Sequence, residues 1–398
     1  MNFFVRMVGA VLTALSLLVA MLLLASAYSP WVEPTVHPQW SCLGLAFPLG
    51  VVANGVLLVL WLIVRSYRRA LIPLLAFALC LPQLRTYCPI RLGTREAGEE
   101  SIRLLSYNVM AFNACPKDAD GSHPILTYIR ESGADIICMQ EFNIGHGSHE
   151  VRQRDVDRAL SEFYPYHNVT PAQPRSSNIL ACYSRYPILT AERLAIVSEH
   201  NGAVLYRILL PQGDTLCLIN NHLETNSLSP EDKEIYADLL HGPDRATAEA
   251  GARHLLSKLS QATAIRGPQA DSVARVIDRL LARDGASTRL SHLESDGAAP
   301  PTGDGAGPTP QRPRLLVVAC GDLNDSPISY ARRRLASHLR DVYAHAGHGL
   351  GISYNRNHFL FRIDHIFADR RLEATDCRVD RSINASDHYP IVATLTLP

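Results

Sequence analysis

Asp322, Asn324 and Asp325 stand almost side by side in the stretch Leu316–Tyr330, LVVACGDLNDSPISY. Such side chains, on a loop behind a buried strand, can bind a hard cation, hold a phosphate or take a proton from water. Other apolar runs end in the same way. Asn108 closes LLSYNV, Glu141 closes IICMQE and His222 closes LCLINNH; Asp364 lies in FRIDHIF, and Asp387 and His388 lie in ASDHYP, just ahead of the last apolar run. Taken singly, each has an ordinary structural role as turn former, ion-pair partner, helix cap or hydrogen-bonded core histidine. Gathered at one edge of a sheet, Glu141, Asp322, Asp364 and Asp387 would repel one another unless a cation or protons compensate. Oxygen ligands favour a hard ion, so Mg²⁺ or Mn²⁺ is the expected cofactor.

Rigid elements must carry these residues. The runs IRLLSYNV, ADIICMQE, NILACYSR, VLYRILL, TLCLINNHL, RLLVVACGDL, RIDHIFA and PIVATLTL have strand length and are rich in Ile, Leu and Val. Helical patterning lies between several of them, as over Pro124 to Glu131 and Ile328 to Leu339. Mixed strands and helices predict an α/β or α+β domain around a buried sheet. Ser229-Pro230-Glu231 reads as a helix start, opening a helical insertion over 229–283 with a break near Gly267-Pro268. Residues 284–313 are dominated by Gly, Pro, Ser and Ala and read as a disordered loop, with an ordered lid as the alternative.

Residues 1–95 differ from the rest. Met7–Ala27 and Leu43–Val64 carry no charge, and each has the ~20 residues a bilayer-crossing helix needs. The third run, ALIPLLAFALCLPQL, is shorter and holds two prolines. A cleaved signal ending at Ala25-Ser26-Ala27 is the competing reading of the first run, but its core exceeds the roughly 7–15 residues usual for a signal. Two or three transmembrane helices are therefore expected, with the lipid bilayer as a partner. The Arg-rich link RSYRRA favours the cytoplasmic side, which puts the C-terminal domain outside the cytoplasm if the third run crosses. Arg85, Arg91 and Arg95 pull the other way. Lys and Arg number 38 against 38 Asp and Glu, so no global basic field argues for nucleic acid. There is no CxxC, and Cys138, Cys182, Cys217 and Cys320 sit inside apolar runs, so neither a disulfide framework nor a zinc site is expected.

In order, YNV, MQE, NNHLE, GDLNDSP, RIDHIF and SDHYP resemble the endonuclease/exonuclease/phosphatase superfamily with its deoxyribonuclease I-like fold, over Ser101 to Pro398. The resemblance implies a four-layer sandwich over 101–398, two packed β-sheets flanked by helices. It also implies a phosphoester hydrolase that uses an activated water. At matching positions, Glu141 becomes the main metal ligand, with Asn108 and Asp387 beside it. Asp322 orients or deprotonates the water. Asn324, Asn178 and His222 bind the substrate phosphate, and His222 and His388 stabilise developing charge. Asp364 and Asp387 orient the histidines or complete the metal shell, with the pairing left open. For the phosphate-contacting tyrosine that the superfamily's nucleases often carry, only Tyr183 and Tyr354 offer themselves. The implied partner is a phosphate ester, either nucleic acid or a phospholipid or inositol phosphate, and no protein partner is implied. Membrane helices favour a lipid or envelope substrate. A non-catalytic membrane scaffold that keeps the fold is the alternative.

Overall fold

Side-chain alternation along the strands explains how this chain stacks into layers. The computed structural model describes residues 3–91, 93, 98–145, 151–240, 245–296, 313–356 and 361–398. Its strands are β1 (Ser101–Asn108), β2 (Ile136–Gln140), β3 (Tyr166–Pro171), β4 (Ile179–Ser184), β5 (Ile188–Arg193) and β6 (Gly202–Leu209), then β7 (Thr215–His222), β8 (Leu315–Asp322), β9 (Arg340–Asp341), β10 (Asp364–Ala368), β11 (Glu373–Val379) and β12 (Ile391–Thr396). They form two six-stranded sheets, in the orders β11-β12-β1-β2-β4-β3 and β5-β6-β7-β8-β10-β9.

Successive strand residues face opposite ways. Leu104, Cys138, Cys182, Leu218, Val318 and Ile366, all at even-numbered positions, form the core between the sheets. The odd-numbered Leu105, Tyr107, Ile137 and Met139 face outward under the helices α6 (Pro124–Glu131) and α7 (Gln153–Leu160). On the other sheet, Cys217, Ile219, Val317 and Ala319 face outward under a long helix and α10 (Tyr330–Ala336). Each buried aliphatic side chain contributes roughly 1.5–3 kcal/mol over exposure, and this core supports the costlier groups at its rim. The four-layer sandwich is thus present as expected.

The eight runs read as strands are all strands. The remaining four, β3, β5, β9 and β11, are the outer strands of the two sheets. Strands β3 and β5 are mostly exposed, so their sequences lack the apolar signal.

The insertion departs from expectation. The helix α8 (Pro230–Leu240) starts at Pro230 as the sequence suggests. The next helix, α9 (Arg245–Asp296), runs straight through Gly267-Pro268, with Pro268 inside it. It also continues past Arg283, so the first part of the stretch read as disordered is helical up to Asp296. Residues 297–312 lie outside the described residues.

In the N-terminal region, α1 (Phe3–Tyr28) leads through α2 (Pro38–Ser41) to α3 (Phe47–Ile63), α4 (Tyr67–Leu79) and α5 (Leu81–Tyr87). Among the described residues two helices are long and apolar enough to cross a membrane, and up to three if α4 and α5, bent by 61°, count as one span. Two of their polar side chains bond within the bundle: Trp61 Nε1 donates to Ser16 Oγ at 2.9 Å, and Asn54 Nδ2 donates to Pro73 O at 2.9 Å. The end of this bundle near residues 28–47 is fastened to the sandwich. Arg333 Nε donates to Pro30 O at 2.7 Å, and the buried Arg362 donates to Thr86 O at 2.6 Å, at the C-terminus of α5. Gly44 approaches the other domain so closely that a Cβ there would lie 1.8 Å from Ile328 O. The opposite end carries Arg65, Arg68 and Arg69, with Arg69 against Gly9 near the start of α1.

Candidate active site

The register of the strands places the chemistry-bearing residues at one edge. Parallel β7 and β8 are aligned so that His222 faces Asp322. Antiparallel β8 and β10 pair Asp322 with Asp364. On the other sheet, parallel β1 and β2 pair Asn108 with Gln140, so Glu141 lies one residue past the end. Antiparallel β12 meets β1 with Ile391 opposite Ser106, which carries His388 beyond the same end. Asn108, His222, Asp322 and Asp364 share the even parity of the inter-sheet core. The alternation that buries Leu218 and Val318 therefore also aims these polar side chains into one pocket at the rim.

Backbone geometry sharpens the placement. Gly321 has φ +124°, and a Cβ there would sit 2.0 Å from Asn221 O, so only glycine lets β8 deliver Asp322 this way. Glu141 and Asn324 are non-glycine residues in the left-handed region, at φ 53° and 54°. Such conformations cost on the order of 1–3 kcal/mol and persist where surrounding structure over-determines them. Hydrogen bonds from Ala111 N and Asn143 N to Glu141 O, at 3.0 and 2.7 Å, provide that hold at one of them.

Within the pocket Asn108 Nδ2 bridges two carboxylates, donating to Glu141 Oε1 at 3.0 Å and Asp322 Oδ2 at 3.1 Å. His222 Nε2 stands 3.7 Å from both Glu141 Oε1 and Asp322 Oδ2. His388 Nε2 stands 3.6 Å from the same Asp322 oxygen. Both imidazoles thus converge on Asp322 without bonding it directly. Their supports differ. His388 Nδ1 pairs with Asp364 Oδ2 at 2.8 Å, whereas His222 Nδ1 contacts Asn178 Nδ2 at 2.7 Å. The pairing left open by the sequence is therefore Asp364 with His388, and His222 has an amide behind it. Asn178, expected at the phosphate, lies behind His222. Asn324 donates its own N–H to Asp322 Oδ1 at 2.7 Å and one amide N–H to Leu223 O at 3.1 Å, leaving a second amide hydrogen for a ligand. Asp387 is half-buried beside the pocket, accepting from Ser386 Oγ at 3.4 Å.

Charge follows from this arrangement. Burial works against the His388 imidazolium, but the Asp364 and Asp322 carboxylates overcome it and push its pKa up to about 10. Burial wins at His222, lowering its pKa despite Asp322. One histidine is cationic and the other neutral. Burial also raises the Asp322 carboxyl to about 6, with Asp364 adding to the rise and the histidines opposing it. That group is ionised near neutral pH yet basic enough to accept a proton.

A family model described as Endonuclease/Exonuclease/phosphatase family matches residues 105–388. The chain belongs to this family. Its members are hydrolases of phosphate esters that depend on a divalent metal. Residues 9–87 match a second model, a domain of unknown function (DUF8431). No curated protein sequence matches the chain. Among solved structures, the chain is similar to an endonuclease/exonuclease/phosphatase from Beutenbergia cavernae at 17% identity and TM-score 0.45, covering 75% of this chain and 72% of that one. It is also similar to the human nocturnin catalytic domain with bound sulfate, at 14% identity and TM-score 0.45, covering 77% of this chain and 97% of that one. A truncated TDP2 from Caenorhabditis elegans is matched at 12% identity and TM-score 0.40, covering 74% and 97%.

The donor set fits the metal that membership in the endonuclease/exonuclease/phosphatase family implies. Burial raises the pKa of Glu141; Asn108 and His388 oppose the rise and the Asp387 and Asp364 carboxylates add to it, a crowding of anions that a bound cation would offset. The Glu141 side chain is 35% exposed while that of Asp322 is 1% exposed, so Glu141 is the carboxylate an ion reaches from solvent. Ligand atoms of Asp322, Asp364 and His388 also lie within 4.8 Å of one another. There Asp364 Oδ2 is engaged by His388 Nδ1, while the buried Asp364 Oδ1 accepts no hydrogen bond among the described residues. Asn108, expected as a ligand, turns its amide nitrogen to the carboxylates and its oxygen to Met110 N at 3.1 Å.

Several supporting residues escaped the sequence reading. Gln140 Nε2 donates to Asn220 Oδ1 at 2.6 Å and to Ser106 Oγ at 3.2 Å, forming a buried polar layer beneath the pocket. Their signal was a polar residue at an even, core-facing strand position. Ser353 Oγ accepts from Asp364 N at 3.1 Å, and Ser386 Oγ donates to Asn108 O at 2.8 Å. Tyr354 packs edge-on against His388, with ring centroids 5.2 Å apart. Tyr183 instead stacks on His167 on the outer face of its sheet, away from the pocket.

Proposed function

We propose that this protein is a membrane-anchored, divalent-metal-dependent hydrolase whose substrate is a phosphoester on a membrane amphiphile. The convergence of His222 and His388 on Asp322, with Glu141 alongside, supports the hydrolysis. Asp322 Oδ2 takes a proton from the attacking water. The His388 imidazolium and the Nε2–H of neutral His222 donate to the phosphoryl oxygens, and Asn324 adds its free amide hydrogen. These donors are fixed before substrate arrives, so they stabilise developing charge with little reorganisation. As the water oxygen bonds to phosphorus, the bond from phosphorus to the leaving oxygen breaks, and the leaving oxygen takes up a proton from solvent. A divalent ion held by Glu141 and Asp387 would neutralise phosphoryl charge and acidify the water.

What supports an amphiphilic substrate is the loop behind β8. Asn324 belongs to the pocket, while Ile328 packs in a cluster with Leu23, Ala27, Phe47 and Ala76 of the membrane bundle. Four residues of fully extended chain reach at most about 14 Å. The pocket therefore stands beside the end of the membrane helices. The decisive experiment assays the full chain in detergent or vesicles with Mg²⁺ or Mn²⁺, comparing phospholipid phosphoesters, soluble inositol phosphates, DNA, RNA and bis-p-nitrophenyl phosphate. Turnover is expected to be greatest on the lipid phosphoester presented in vesicles. Preference for DNA or RNA would overturn the substrate class, and absence of turnover on every phosphoester would overturn the enzymatic reading.

The bundle's Arg65, Arg68 and Arg69 lie at the end opposite the catalytic domain, which by the positive-inside rule supports an extracytoplasmic domain, against the pull of Arg85, Arg91 and Arg95. A C-terminal reporter fusion is expected to be active only in an extracytoplasmic compartment. Activity of a cytoplasm-specific reporter would reverse the orientation.

A further inference from the structure

Strands β7 and β8 are parallel, so the chain between them must cross over. It does so through α8 and α9. The apolar stripe Ala270, Val273, Ile277 and Leu280 seats α9 on the outer face of the sheet. One turn ahead of Ala270 this stripe gives way to Arg266, which is only 2% exposed. A guanidinium this deep needs partners for its charge and its N–H groups. Arg266 Nε donates to Glu224 O at 3.0 Å, Nη2 donates to Asn226 Oδ1 at 2.6 Å, and Nη1 pairs with Asp325 Oδ2 at 3.0 Å. Glu224 and Asn226 belong to the loop that follows His222, and Asp325 follows Asn324 directly. One side chain thus grips the loops behind both strands. Gln269, the next residue on this face, accepts from Glu224 N at 2.8 Å, and Asn226 Nδ2 closes the circuit on Asn324 O at 3.3 Å.

The neighbouring face of the same helical turns meets the membrane region. Cys42 Sγ contacts Thr263 Oγ1 at 3.2 Å, and Gly267 lies so near Pro34 that a Cβ would come within 2.2 Å of its ring.

We propose that Arg266 is a positioning residue for this site: its guanidinium sets the spacing between His222 and the Asp322–Asn324 turn. The proposal rests on the reading of the pocket as phosphoester-hydrolysing. Asn324 is in a left-handed conformation, which persists where its surroundings hold it; besides its bonds to Asp322 and Leu223, Asn226, itself held by Arg266, grips its carbonyl. A displacement of about 1 Å in such a site can cost roughly 10²-fold in rate. Lysine would keep the charge opposite Asp325, but its single ammonium lacks the planar fork that serves both loops at once.

Two variants of the full chain separate positioning from stability. Arg266→Lys preserves the charge balance. Arg266→Met with Asp325→Asn removes both charges, so no unpaired buried ion remains. Both are expected to melt close to the wild type. Their kcat on bis-p-nitrophenyl phosphate with Mg²⁺ is expected to fall roughly 10²-fold, with KM changed less than about threefold. Amide hydrogen exchange is expected to quicken in residues 223–229 and 323–329 while β1 and β2 keep their protection. Wild-type kcat in either variant, or unchanged exchange in both loops, overturns the proposal. So does a kcat loss accompanied by lost protection across both sheets, because that is unfolding. If the wild type hydrolyses no phosphoester, the functional reading fails and the proposed role in hydrolysis falls with it; the exchange data then report separately whether Arg266 orders the two loops.

Discussion

Glu141→Gln is expected to lower turnover by at least about 10³-fold while leaving the protein folded, because charge stabilisation by a bound metal is worth several kcal/mol and each 1.36 kcal/mol is tenfold in rate. The substitution keeps the shape of the side chain and the oxygen that accepts from Asn108 Nδ2. It removes one anion from a pocket where Asp387 and Asp364 already oppose its ionisation. In a chelator the variant should therefore melt at the same temperature as the wild type or higher. Added Mg²⁺ or Mn²⁺ should raise the melting temperature of the wild type and leave that of the variant nearly unchanged, since a ligand stabilises only the state that binds it. Loss of activity and gain of metal-free stability would thus come from the same carboxylate. Wild-type turnover in the variant, or an undiminished thermal response to the metal, would remove Glu141 from the ligand set.

Replacing either histidine with alanine is expected to cost about 10²–10³-fold in kcat, the usual effect of deleting one preorganised donor to a developing anion. KM should move much less, because these contacts strengthen as charge builds in the transition state. The double variant His222→Ala/His388→Ala should lose less than the product of the single losses, as residues that serve one phosphate do. The reason is geometric: both Nε2 atoms stand within 3.7 Å of the same Asp322 oxygen. Their second partners predict a difference. Asp364→Asn removes the carboxylate that keeps His388 cationic, so it should approach the loss of His388→Ala. Asn178→Ala removes only an orienting amide from a neutral ring and should cost less. Near-wild-type kcat in a folded, metal-replete single histidine variant would exclude that histidine from the mechanism. Fully multiplicative losses would mean the two rings act on different groups.

The sequence by itself determined more of this protein at its core than at its margins. Central strands covered by the other sheet on one face and by helices on the other must be apolar on both faces, and so Ile136–Gln140 or Leu315–Asp322 announce themselves in composition. The outer strands pair on one side only, and Tyr166–Pro171 and Ile188–Arg193 carry the polar residues of exposed surface, so their pairing emerges only with the sheet. Likewise the types of the site residues were legible, because a carboxylate, amide or imidazole at a core-facing strand end is out of place in an apolar pattern. Which of them touch was not legible. Asp364 and Asp387 are equally acidic in sequence, yet the alignment of Asp322 with Asp364 across β8 and β10 puts Asp364 on His388 Nδ1. The long helix through Gly267-Pro268 is also a tertiary outcome, since Ala270, Val273 and Ile277 gain more by packing on the sheet than a proline costs a helix. Arg266 shows the limit most plainly. In the sequence it is one arginine among many on a helix. Only the fold brings Glu224, Asn226 and Asp325 around it, because its partners come from two loops, one before the crossover and one after it.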